Sequence, residues 1–197
     1  HKIDVCMPLN VIMRDVLGYA KNQREVKFIL ENKNVMVDGI RRRDPRFPVG
    51  LFDVLSFNET GEHFRIILDS KGKIGLVKIN KQESGHKICK ITGKTAIKGK
   101  VQLNLNDGKN IIAEDSQYKV GDAVVLALNG KAKIKERVSL DKGAMIYLTD
   151  GKHIGGTGKV VDIIGNRILY KTNEAVVETL KEAAFPIGKD KLLIKLS

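Results

Sequence analysis

The sequence has no tryptophan and only ten other aromatic residues, six Phe and four Tyr, in 197 positions. Proteins that hold single strands stack bases on aromatic platforms, so a chain with few platforms is expected to engage folded nucleic acid through phosphates, 2′-hydroxyls and shape. Cysteine is almost absent too. Cys6 and Cys89 stand far apart with no CxxC spacing, which excludes a disulfide framework and a zinc ribbon and leaves two buried, reduced thiols as the expectation. No run approaches the roughly 18 uninterrupted apolar residues of a membrane span, and the opening HKIDVCMPLN lacks the apolar stretch of a secretion signal. A soluble, cytoplasmic chain with no membrane partner is expected. Positive charge, in contrast, is abundant: 35 Lys+Arg against 23 Asp+Glu give a formal net charge of +12. That excess calls for an anionic partner, and 42% hydrophobic residues suffice for packed cores.

Motifs for catalysis fail on inspection. ITGKT at 91–95 ends like a phosphate-binding loop, but the first glycine of G-x-x-x-x-G-K-[ST] would fall on Ile88, and no helix-forming segment follows Thr95. GGTGK at 155–159 fails likewise, with His153 in the glycine position. His86 and Cys89 make at most half a zinc site, and His1, His63 and His153 have no nucleophile or paired carboxylate nearby in sequence. No enzyme, metal, cofactor or small-molecule substrate is expected.

Periodicity sets the fold expectation. Leu9, Ile12, Met13, Val16 and Leu17 predict one amphipathic helix over 8–20. Asn22 and Glu25 read as a cap for a second, with Val26, Ile29 and Leu30 inward. Period-two patterning then leads through Val35 and Val37 into the hairpin signal Asp38-Gly39 and on to the strand FDVLSF at 52–57. Beyond Gly61 short apolar runs alternate with Gly and Asn turns, from FRIILD to KLLIKLS, and Gly99 is expected as a bulge in a strand over 97–105. The fold class is α+β: a helix-helix-small-sheet module over 1–60, then two all-β, barrel-like domains over 61–142 and 143–197. Residues 61–100 hold ten basic and three acidic groups, so the β portion carries most of the excess.

Four arginines, Arg41, Arg42, Arg43 and Arg46, follow the Asp38-Gly39 turn with only Asp38 and Asp44 as local counterions. Guanidinium forks match phosphate geometry. With Arg14, Lys21, Arg24 and Lys27 from the helices they are expected to form one positive surface against an RNA backbone. Lys98 and Lys100 on a wet strand face, and Lys152 and Lys159 in the last third, are further candidates.

Residues 8–57 resemble the small α+β RNA-binding module of ribosomal proteins, a class of pseudouridine synthases and tyrosyl-tRNA synthetases. NQREVKFIL stands where that module has its Ser-Arg-rich second helix, with Arg24 on the Arg position; Gly50 and Asp53, separated by Leu51 and Phe52, depart from its usual closing motif. The blocks HKIDVCMPLNVIMRDVL, VDGIRRRDPRFPVGLFDVLSF, GEHFRIILDSKGK, HKICKI, DGKHIGGTGKVVDI and AAFPIGK extend the resemblance, in order, to the archaeal and eukaryotic e-type protein four family of the small ribosomal subunit. DGKHIGGTGKVVDI is similar to a KOW segment of SH3-like barrels, with Gly156 or Gly158 as its glycine. The resemblance implies a structural role on small-subunit ribosomal RNA beside neighbouring small-subunit proteins, without catalysis, and part of the RNA footprint in a basic extension before the position of His1. Two rival readings are an RNA-modifying protein delivered by the same module, and a transcription-elongation binder acting through the KOW segment.

Overall fold

The computed structural model describes residues 1, 3–97, 99–113, 117–128, 130, 133–172, 175–189 and 191–196. The described residues are mostly β, and apart from short 3-10 turns at Ile3–Val5 and Glu83–Gly85 the helical structure lies in two segments near the start. The first, α1 (Leu9–Val11), runs directly into a π-helical turn over Ile12–Val16. Leu17 and Tyr19 close that turn by donating to the carbonyls of Ile12 and Met13, and Gly18 ends it at φ +66°. Leu9, Ile12 and Met13 are buried as their spacing predicts, but Val16 is 45% exposed. A π turn holds more residues than the 3.6 of an α-helix, so it rotates the later part of the expected apolar stripe out of the core. The second helix, α2 (Gln23–Asn32), follows its predicted cap: Asn22 Oδ1 accepts from Glu25 N at 3.0 Å, and the Glu25 carboxylate accepts from Lys21 N at 2.7 Å. Val26 and Leu30 are its buried face, and Ile29 is half-buried.

Three five-stranded antiparallel sheets follow. The first orders β3 (Ile40–Arg41), β2 (Val35–Val37), β5 (Val54–Phe57), β6 (Glu62–Leu68) and β7 (Ile74–Ile79). It packs both helices over one core with Leu55, Phe64 and Ile66. A two-stranded ladder of β1 (Cys6–Pro8) with β4 (Pro48–Gly50) flanks it. The first sheet therefore continues past residue 60 through the β5–β6 hairpin, and β6 pairs with β7 from His63 to Leu68. The expected strand at 52–57 begins only at Val54, because Phe52 takes φ +64°.

The central sheet orders β10 (Asn110–Ala113), β9 (Lys100–Leu105), β8 (His86–Ile97), β11 (Ala123–Ala127) and β12 (Lys133–Val138). Gly99 is not a bulge within one strand: Ile97 pairs with Lys100, so Gly99, at φ +78°, sits in the turn of the β8–β9 hairpin. Residues 94–97 and 99–100 are exposed there. The last sheet orders β16 (Val176–Leu180), β15 (Arg167–Lys171), β14 (Thr157–Ile164), β13 (Met145–Leu148) and β17 (Ala184–Gly188). KLLIKLS contributes no strand among its described residues, only a bridge from Leu192 to Gly188. One apolar cluster joins all three sheets, with Leu68 from the first, Ile88 and Val125 from the second, and Tyr147, Phe185 and Ile187 from the third.

Candidate nucleic-acid interface

The Asp38-Gly39 turn has both residues in the left-handed region, φ 52° and 74°, as a two-residue hairpin requires. Its tip is not a free rim. A Cβ on Gly39 would stand 2.5 Å from the carbonyl oxygen of Leu128, and the Asp38 side chain is buried against the central sheet. The arginines therefore occupy the opposite, open end of the hairpin. Arg41 donates to the Glu31 carbonyl at 2.9 Å, in the last turn of α2, where a cation also complements the helix dipole. Arg42 lies over the Phe47 ring at 4.0 Å and is half-buried. Arg43 and Arg46 are exposed, and neither side chain has an ion pair among the described residues. Lys21 and Arg24 are likewise exposed at the start of α2, while Lys27 stands 3.9 Å from Glu31. Arg14 is held by Asp15 in a two-pronged pair at 2.7 and 2.8 Å, which draws it away from any other anion. Arg41 links the hairpin end to the end of α2, so Lys21, Arg24, Lys27, Arg41, Arg43 and Arg46 come from neighbouring elements. Arg14 is already paired, and Lys98 lies outside the described residues.

Sequence reasoning missed a buried ionic cluster between the first two sheets. The Lys87 side chain is fully buried on β8, and its ammonium donates to Asp38 at 2.8 Å, to Asp107 at 2.8 Å and to Asp53. Lys109 reaches Asp38 at 2.6 Å, and the His1 ring pairs with Asp53 at 2.9 Å. The three carboxylates lie within 4.8 Å of one another, a spacing suited to a metal ion, but the ammonium of Lys87 already stands among them as their cation. Burial alone would lower the Lys87 pKa; Asp53, Asp38 and Asp107 outweigh it and hold the group charged, well above 10.5. Burial pushes Asp107 up, but Lys87 and Lys109 overcome it and bring its pKa to about 2.

Lys90 makes a second latch. Its ammonium donates to the carbonyls of Lys181, Glu182 and Ala184 at 3.0, 2.8 and 2.7 Å, tying the central sheet to the turn before β17 and to the first residue of that strand. Tyr147 makes a third, its hydroxyl accepting from Leu68 N at 2.9 Å and donating to Leu68 O at 2.7 Å, which joins the last sheet to the first. Arg65, also fully buried, donates to the carbonyls of Glu83 and His86 at 3.1 and 3.2 Å. Three of the ten basic groups between 61 and 100 are thus turned into the structure, and the β portion's outward excess is smaller than the sequence suggests. One signal was available: Lys87 shares its period-two face with Cys89 and Ile91, both buried. Cys6, expected to be buried, is only half so.

In the last sheet Lys152 is exposed before β14, and Lys159 faces Lys171 across β14–β15. Lys159 and Lys171 line an open concavity of about 390 Å³ with Met145, Thr157, Gly158 and Thr172. A Cβ on Gly158 would meet the Tyr170 ring at 2.5 Å, and one on Gly156 the His153 carbonyl oxygen at 2.9 Å, so both KOW candidate glycines are sterically required. Lys100 is exposed beside the β8–β9 turn.

A family model described as Ribosomal family S4e matches residues 60–133. Proteins described as small ribosomal subunit protein eS4 from Methanosphaera stadtmanae and Methanothermobacter thermautotrophicus are 42% and 40% identical, over 100% of this chain and 83% and 84% of theirs. A crystal structure of the 30S ribosomal protein S4e from Thermoplasma acidophilum matches the fold with a TM-score of 0.82 at 31% identity, covering 95% of this chain and 97% of that one. The class this fold and these likenesses define is a structural, non-enzymatic ribosomal protein. More narrowly, the chain belongs to the S4e family.

Proposed function

We infer that the chain is a structural constituent of the small ribosomal subunit, working in the cytoplasm, and that it holds folded ribosomal RNA through Arg and Lys contacts to phosphates beside neighbouring subunit proteins. The observation that carries this reading is similarity across the whole chain to proteins named for that subunit, on a fold match of equal extent. Within it, the finer division is an α+β RNA-binding module, a central β unit and a KOW-bearing SH3-like unit. The cations at the open hairpin end and on α2 are the primary footprint, with Lys100, Lys152 and Lys159 on the β units. Buried latches between the sheets support the reading, because a protein that keeps RNA helices in register must keep its own binding faces in register.

The test uses Arg24→Ala, Arg43→Ala and Arg46→Ala together. All three are exposed and none of their side chains is paired among the described residues, so the fold should be untouched. For every phosphate that the variant no longer neutralises, the slope of log affinity against log salt should become shallower by about 0.7 to 0.9. An unchanged slope would remove this surface from the footprint. Arg41 and Arg42 are poorer probes, since their truncation also disturbs α2 and Phe47.

A further inference from the structure

Of the ten aromatic side chains, nine are buried or half-buried, and Phe28 alone is exposed, at 63%. It stands on α2 away from Val26 and Leu30, one turn beyond Arg24 and beside Lys27. Glu31, three residues on, passes its carbonyl to Arg41. An apolar ring thus sits inside the cationic surface rather than against the core. Burying a phenyl ring offers a large gain, and leaving one in water forgoes it. The partner that complements this face must carry negative charge and flat apolar surfaces together. RNA offers both, phosphates for the cations and an unstacked base for the ring.

We propose that Phe28 stacks on an unpaired base of the RNA whose backbone is held by Arg24, Lys27 and the hairpin arginines. This rests on the RNA-binding reading and deepens it: the site supplies a contact that salt does not weaken, and it selects RNA with a bulged or looped-out nucleotide over a continuous helix. A cationic helix face alone would not distinguish the two.

Because the chain has no tryptophan, Phe28→Trp installs a single indole at the proposed contact, excited at wavelengths where the four tyrosines hardly absorb. Binding of small-subunit RNA to the full chain is measured across salt for wild type, Phe28→Ala, Phe28→Leu and Phe28→Trp. Phe28→Ala should bind about tenfold more weakly at every salt with an unchanged salt slope. Phe28→Leu should remain within a few-fold of Phe28→Ala, whereas Phe28→Trp should restore wild-type affinity and its indole emission should be quenched on adding RNA. Affinity unchanged in Phe28→Ala, full rescue by Phe28→Leu, or emission that responds only to added subunit proteins would overturn the proposal. If wild type shows no preference for small-subunit RNA, the underlying functional reading fails instead, and the two failures are told apart by that arm.

Discussion

Replacing Lys87 by Met should destabilise the folded chain by about 3 to 5 kcal/mol near neutral pH, because it removes the cation and leaves its carboxylates buried. Asp38, Asp53 and Asp107 would then face one another, with Lys109 and His1 the remaining paired cations among the described residues. Volume is nearly conserved by the substitution, so a cavity would contribute little and the cost is electrostatic. The sign of the pH dependence follows. With its ammonium gone, the folded cluster takes up protons as pH falls through the acid range, more readily than the unfolded chain does. Stability of the variant should then rise as pH falls, and the penalty relative to wild type should shrink by at least about 1 kcal/mol between neutral pH and about pH 5. Urea unfolding of both proteins at the two pH values measures this directly. A penalty under about 1 kcal/mol at neutral pH, or one equal at both, would refute the view that Lys87 is the obligatory cation of this junction.

Two further outcomes are expected. Asp107, with a pKa of about 2 against an ordinary 3.8, contributes stability that is complete above the ordinary value and is lost as pH falls through about 2. Asp107→Asn should therefore flatten the acid limb of a stability-versus-pH curve, and an unchanged limb would contradict the pairing with Lys87. Gly39→Ala meets both a positive φ of 74° and a carbonyl oxygen 2.5 Å from the new Cβ, whereas Gly61→Ala at φ 67° meets nothing within 4 Å. Thermal unfolding should show Gly61→Ala costing about 1 kcal/mol and Gly39→Ala clearly more; equal costs would mean the hairpin tip is not docked on Leu128.

Local signals in the sequence were faithful where the physics is local. Asn22 and Glu25 cap α2 as their spacing demands, and Asp38-Gly39 turns the hairpin as its dipeptide demands. What could not be read was the environment into which each element is pressed. Asp38-Gly39 looks like an exposed tip because hairpin tips usually are, but here Leu128 and Lys87 cover it, and they lie about ninety and fifty residues away. In sequence Lys87 and Lys90 count only toward the basic excess of residues 61–100. Strand β8 is covered on both faces at that level, with Ile88, Cys89 and Ile91 all buried, so each lysine had to find oxygen inside the protein. Val16 kept its helical phase in sequence and lost it in space to one π turn. The functional class was legible from the ordered blocks and the charge. The proposed RNA-facing residues were less so, since a guanidinium such as Arg14, paired to its own neighbour Asp15, looks the same in sequence as Arg43, which has no ion pair among the described residues.

The most direct measurement is binding of the full chain to its organism's own small-subunit RNA in competition with an unrelated folded RNA of equal length, followed as salt is raised. The account predicts a preference for the small-subunit RNA that persists or grows with salt, because the shared phosphate term weakens in both while shape and base contacts remain. Equal affinities that fall together along one steep salt slope would contradict it.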